Sequence, residues 1–130
     1  MQLTDWRKEA IKRIILFLKD VGLNAVRRGN WETLRNVIPT LGIRGKQALN
    51  QEGNQDIGEE AFQALEELAN ALLQRIDDIP NREWEEKGVI WHLAGVLGHT
   101  GTAAAARGLE ALTTKAVELL QRLCQEAKHK

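Results

Sequence analysis

A chain of 130 residues, 43% hydrophobic and 28% charged, is long enough to bury one core without help, which excludes a disordered tail and a scaffold held by metals or disulfides. Eighteen Lys and Arg balance eighteen Asp and Glu, so the chain lacks the basic excess of a general nucleic-acid binder. The single cysteine, Cys124, excludes an internal disulfide and makes a reducing, cytoplasmic setting the expectation.

The first predicted helix begins at Thr4 or Asp5 and runs to about Arg28, with Ile11, Ile14, Leu18, Val21 and Ala25 at helical spacing. Ile15, Leu16 and Phe17 widen its apolar stripe beyond one face, so it is expected to pack on two sides. Gly29 suits a left-handed cap, and Asn30 can accept the first amide bonds of the next helix. That second helix starts at Trp31 and carries Leu34, Val37, Ile38 and Leu41. Pro39 is expected to kink or break it, since its ring donates no bond and crowds the Arg35 carbonyl. The stretch from Asn50 to Asp56 reads as the longest loop.

Asp56 and Glu59 have the spacing of a capping box for a third helix, whose seam of Phe62, Leu65, Leu68, Ala69, Leu72 and Ile76 runs to about Asp77. Ile79-Pro80-Asn81 forms a turn, and Asn81 is expected to cap a fourth helix whose first turn holds Glu83, Glu85 and Glu86. This helix either stops at Gly98 to Gly101, with Thr102 capping a last long helix, or continues through the glycines and breaks at Arg107-Gly108; the second is favoured because Ala103 to Ala106 have high helix propensity. A last helix uses Leu109, Leu112, Ala116, Leu119, Leu120 and Leu123. No segment alternates as a strand would. The fold class expected is all-α: a single domain over residues 1–130, with about five helices packed as antiparallel hairpins.

Two echoes run through this pattern. Leu41-Gly42-Ile43-Arg44-Gly45-Lys46-Gln47-Ala48 aligns with Leu97-Gly98-His99-Thr100-Gly101-Thr102-Ala103-Ala104, and Leu72-Leu73-Gln74-Arg75-Ile76 with Leu119-Leu120-Gln121-Arg122-Leu123. They suggest a duplicated helix pair with small residues where backbones approach. Charge is also blocked. Residues 1–50 carry ten basic and four acidic side chains, whereas residues 51–90 carry three and eleven. A neutral total favours pairing of these blocks with each other inside the fold.

The residues offer little chemistry. Trp84, Trp91, His92 and His99 fall at helical spacings and could line a pocket for a small molecule, metal or nucleotide. The competing reading is core packing, and two His at a seven-residue spacing do not converge on one ion. The acidic pairs Glu59/Glu60, Glu66/Glu67, Asp77/Asp78 and Glu85/Glu86 invite comparison with helical nucleotide pyrophosphatases, but Glu83 and Glu86 supply one ExxE with no ExxD following, and the pairs read as solvated faces. Cys124 has no activating neighbour and is expected to be buried or half-buried beside Leu120 and Leu123. The apolar run Ile14 to Leu18 is too short for a signal peptide or a membrane span. Glu9 and Asp20 dilute the basic character a membrane-surface helix needs.

Leu18, Gly22, Ala25 and Gly29-Asn30, followed by Leu34 and Ile38, resemble the tetratricopeptide pattern of a Leu- and Gly-bearing helix, a Gly-Asn turn and a returning helix. Ala25 or Gly101 stands where that pattern carries Tyr, and Leu23 where peptide-gripping members carry Asn. The resemblance therefore implies helix-hairpin architecture and no binding residue. Together these observations predict a non-catalytic interaction or regulatory module, without cofactor, that binds another protein or a copy of itself. Its expected recognition residues are Lys19, Arg27, Arg28 and Arg35.

Overall fold

A computed structural model describes residues 4–129. Five helices follow one another: α1 (Asp5–Arg28), α2 (Trp31–Leu49), α3 (Gln55–Gln74), α4 (Val89–Ala106) and α5 (Glu110–Ala127), with short 3-10 turns at Ile76–Asp78 and Asn81–Trp84 between α3 and α4. No strand occurs among the described residues.

The α1–α2 joint forms as the sequence predicts. Gly29 is left-handed at φ 66°, the Asn30 N–H returns to the Ala25 carbonyl at 2.8 Å, and Asn30 Oδ1 accepts from the Thr33 N–H at 3.2 Å. Gly108 repeats this geometry after α4, with φ 73° and the Leu109 N–H bonded to the Ala104 carbonyl at 2.9 Å. As expected, α4 runs unbroken through Gly98 and Gly101.

Three local expectations are corrected. Pro39 lies inside a continuous α2, so of the kink or break expected there the break does not occur. Asp56 makes no capping box. Helix α3 starts at Gln55 after Asn54, and the Asp56 carboxylate instead meets Lys8 at 3.3 Å and Lys12 at 3.0 Å. Asn81 does not cap α4, which begins eight residues later, so Glu83 to Glu86 lie outside it.

Helices α2 and α3 form the centre. α1 packs on both, α4 packs on α2, and α5 packs on α4. Leu34, Ile38, Leu41, Leu65, Leu68, Leu72, Leu93 and Leu97 are wholly buried at these junctions. At about 1.5–3 kcal/mol for each such side chain, they are the main source of stability.

The contacts also fix direction. Lys8 and Lys12 reach Asp56, Lys12 reaches Glu60, and Lys19 reaches Glu67, so positions on α1 and α3 rise together and the two helices run parallel. Gly42 against Val96 and Arg35 against Glu83 set α4 along α2 in the same way, and Glu66 with Lys115 and Asn70 with Arg122 do so for α3 and α5. Each helix thus parallels the one two places before it. That is a stack of antiparallel hairpins, compatible with a helical-repeat architecture. The basic first block accordingly pairs with the acidic second one.

The first sequence echo has a structural counterpart. A Cβ on Gly45 would sit 3.2 Å from the Ala61 Cβ of α3, and one on Gly101 would sit 3.1 Å from the Ala116 Cβ of α5. The second echo does not keep this register, since Leu72 follows Ala61 by eleven residues and Leu119 follows Ala116 by three.

Candidate functional site

The most constrained polar group lies where the chain enters α4. Glu83 is 1% exposed in the Asn81–Trp84 turn. Its Oε1 accepts from the Val89 N–H at 3.1 Å and lies 3.4 Å from Arg35 Nε on α2, while Oε2 lies 3.4 Å from Arg82 Nε. The carboxylate therefore does for α4 what Asn81 was expected to do: it satisfies the first free amide and opposes the positive end of the helix dipole. Lys87 at φ 70° and an extended Gly88 fold the chain back over Glu83. A Cβ on Gly88 would lie 2.4 Å from the Glu83 carbonyl oxygen, so this close approach requires glycine. All the strong acceptor directions of Glu83 face groups of the chain itself, and the arrangement is a clamp.

His92 stands one turn into α4, its N–H bonded to the Gly88 carbonyl at 3.0 Å. Burial, reinforced by the nearby Arg35 charge, holds its imidazole below the usual 6.5. On the other side of the fold, burial pushes the Asp56 carboxyl up, and hydrogen bonds from Lys12 and Lys8 more than reverse this, leaving it below 3.8. The Asp56 hydrogen bond raises Lys12 above 10.5 against the opposing effect of burial.

These directions predict the pH dependence of stability. The unfolded chain binds the His92 proton more readily, so the His92 contribution is complete above 6.5 and is lost as pH falls through its lowered folded value. The Asp56 contribution is present above 3.8 and is lost further into acid, while that of Lys12 is present below 10.5 and is lost as pH rises through its raised value. Urea unfolding across pH should show a plateau between these limits, and His92→Leu should flatten the slope just below 6.5. A slope unchanged in that variant would remove His92 from the account.

The residues considered for a pocket come together only in part. Trp84 and Trp91 line a shallow apolar groove of about 360 Å³ with Ile90, Leu120, Leu123 and Cys124, and neither His92 nor His99 lines it. Trp91 meets His92 edge-on at 5.0 Å between ring centres. Trp84 belongs to the 3-10 turn and not to α4, so the seven-residue spacing to Trp91 does not place both rings on one helix face. Cys124 is exposed at the groove edge, where the sequence suggested burial; α5 packs on one side only and leaves this position in solvent. No group of three or more His, Cys, Asp or Glu among the described residues could hold a metal ion.

The four expected recognition cations separate into two kinds. Lys19 is paired with Glu67 at 3.4 Å, and Arg35 bonds the Trp31 carbonyl at 3.4 Å and clamps Glu83. Arg27 and Arg28 are exposed at the end of α1, where Arg27 bonds only Asn24 Oδ1 at 2.7 Å and Arg28 has no ion-pair partner among the described residues. Between α1 and α3, Asp20, Leu23, Asn24, Val26, Arg27 and Arg75 line a broad surface groove of about 460 Å³. Arg75 crosses its end and donates to the carbonyls of Val26 and Arg27.

Sequence reasoning missed the surface that stands out most. Trp6, Ile14, Phe17 and Val21 are 69%, 54%, 68% and 48% exposed along one outer side of α1. The spacing puts Ile14 and Val21 in the core seam and Ile15, Leu16 and Phe17 in its widening; instead Ile15 is buried and Ile14 and Val21 are exposed, because α2 and α3 dock on the side of Ile11, Ile15 and Leu18. No helix among the described residues is long and apolar enough to cross a membrane. Comparison with protein families, curated proteins and solved structures finds no match to this chain.

Proposed function

We propose that this chain is a non-catalytic interaction or regulatory module, tetratricopeptide-like in architecture alone, that engages a protein partner or a second copy of itself. The observation that carries this reading is the uncovered apolar row on α1, because large hydrophobic side chains left contiguous on a folded surface mark contact sites. Arg28 stands seven residues beyond Val21 on the same face, so Arg27 and Arg28 supply charge at the end of that row. Lys19 and Arg35, engaged by Glu67 and Glu83 within the chain, are left out of this surface.

The test is the double substitution Arg27→Glu and Arg28→Glu. Both side chains are exposed, so helical circular dichroism and melting temperature should hold while affinity for a bound partner falls. Unchanged affinity for every partner refutes the assignment. Under this reading tryptophan fluorescence and melting temperature also stay fixed when divalent metals or nucleotides are added, and a rise in melting temperature with either would point to a ligand site.

A further inference from the structure

We infer that the outer face of α1 is the contact surface of a homodimer, in which two copies of α1 cross antiparallel with Ile14 and Phe17 at the centre. This rests on the interaction-module reading and deepens it by naming the occupant. Ala10, Ile14, Phe17 and Val21 are all exposed and are spaced four, three and four residues apart. That is the seam spacing of paired helices, and two heptads are short enough for straight helices to stay in register, drifting about 20° per heptad. It is a second seam: Ile11, Ile15, Leu18, Gly22 and Val26 already face the core.

Charge selects a copy of the same chain over other occupants. Arg13 and Asp20 are exposed, seven residues apart on one flank of the seam. In the antiparallel register Ile14 meets Phe17 of the second copy and Ala10 meets its Val21, filling large against large at the centre and small against medium at the ends. The same register sets Arg13 beside Asp20 of the second copy, and the two-fold axis repeats that pair. A parallel pairing would instead place Arg13 and Asp20 on opposite sides of the seam from their copies, beside the Ile11 and Leu18 flank, and leave both charges without a partner across it. An anionic lipid surface would meet Arg13, Arg27 and Arg28 but fits less well, because Asp20 borders the apolar row and Lys8, Lys12 and Lys19 turn away to α3.

Area is sufficient as well. Taking roughly 200 Å² for a whole aromatic side chain, the exposed fractions of Trp6, Ile14, Phe17 and Val21 leave on the order of 500 Å² per copy. Two copies would cover about 1,000 Å², the lower bound of a specific interface. The dimer is accordingly expected to be concentration-dependent.

Sedimentation equilibrium on the full chain tests the proposal. The mass should rise with concentration toward twice 14.6 kDa. Phe17→Glu should weaken association on the order of tenfold or more with circular dichroism unchanged, whereas Val117→Glu, at an exposed apolar position on α5, should not. Arg13→Asp and Asp20→Arg should each weaken self-association, and an equimolar mixture of the two single variants should restore it as a heterodimer.

A wild-type chain that stays monomeric at millimolar concentration overturns the proposal, as does a mixture of charge variants that remains monomeric. So does a monomeric wild type that co-sediments with phosphatidylserine vesicles through Phe17, which would assign the face to lipid. If the wild type is monomeric yet a foreign partner still requires Arg27 and Arg28, the dimer fails and the module reading stands.

Discussion

Replacing Glu83 by alanine is expected to lower the unfolding free energy by about 2–4 kcal/mol, a loss comparable to truncating a buried leucine. The substitution removes a carboxylate 1% exposed, and with it the acceptor for the Val89 N–H and the counter-charge of Arg35. The cost is set less by the attraction lost than by what remains, a buried amide and a half-buried guanidinium without their acceptor. Glu83→Gln keeps an oxygen for the Val89 N–H but no charge for Arg35, so its loss should be smaller. Arg35→Met should be milder still, because that side chain is 39% exposed and its removal leaves Glu83 with Arg82 and the Val89 amide. Gly88→Ala attacks the same clamp from the opposite side, since the new Cβ would strike backbone atoms of Glu83 that cannot rotate away. Urea midpoints at unchanged m-value would measure the series. A loss below about 1 kcal/mol for Glu83→Ala would mean that the clamp does not hold α4.

How far the sequence speaks depends on how local each signal is. Gly29-Asn30 announces a joint because cap geometry is settled by adjacent residues, and the high propensity of Ala103 to Ala106 is enough to signal that α4 continues through its glycines, where packing of Leu97, Ala103 and Ala104 also holds it. Asn81 misleads for the complementary reason. A good cap followed by acidic residues is a helix start only if nothing better competes, and the buried Glu83 competes from six residues before Val89. Asp56 misleads in the same way, since Lys8 and Lys12 arrive from a helix 44 or more residues away in sequence.

The candidate surface divides along the same line. Arg27 and Arg28 remain exposed as expected, but nothing adjacent to Lys19 or Arg35 indicates that Glu67 and Glu83 will take them into internal pairs. Excess apolar width on α1 is visible at Ile15, Leu16 and Phe17, but Ile14 and Val21 read as core seam, and the fold buries Ile15 while leaving Ile14, Phe17 and Val21 exposed. Which side of α1 the fold leaves open depends on where α2 and α3 dock, and periodicity on one helix carries no such information.

The paired Leu-Gly echo offers a test in which equal substitutions should act with opposite sign. Gly42 in α2 and Gly98 in α4 occupy matching places in the repeated motif, but a Cβ on Gly42 would fall 2.5 Å from Val96 Cβ and 2.3 Å from its Cγ1, while one on Gly98 would meet nothing within 4 Å. Gly42→Ala should therefore destabilise by about 2 kcal/mol, an overpacking loss that the better helix propensity of alanine offsets only in part. Gly98→Ala adds the same propensity with no collision and should stabilise by about 0.5–1 kcal/mol. Truncating the neighbour separates steric conflict from other causes. Val96→Ala should not rescue Gly42→Ala, because the offending Cβ remains at 2.5 Å, whereas Val96→Gly should recover part of the α2–α4 contact despite its own helix cost. Thermal melts of Gly42→Ala, Gly98→Ala and the two double variants decide the matter, and a common sign for Gly42→Ala and Gly98→Ala would show that α2 and α4 do not cross at Gly42.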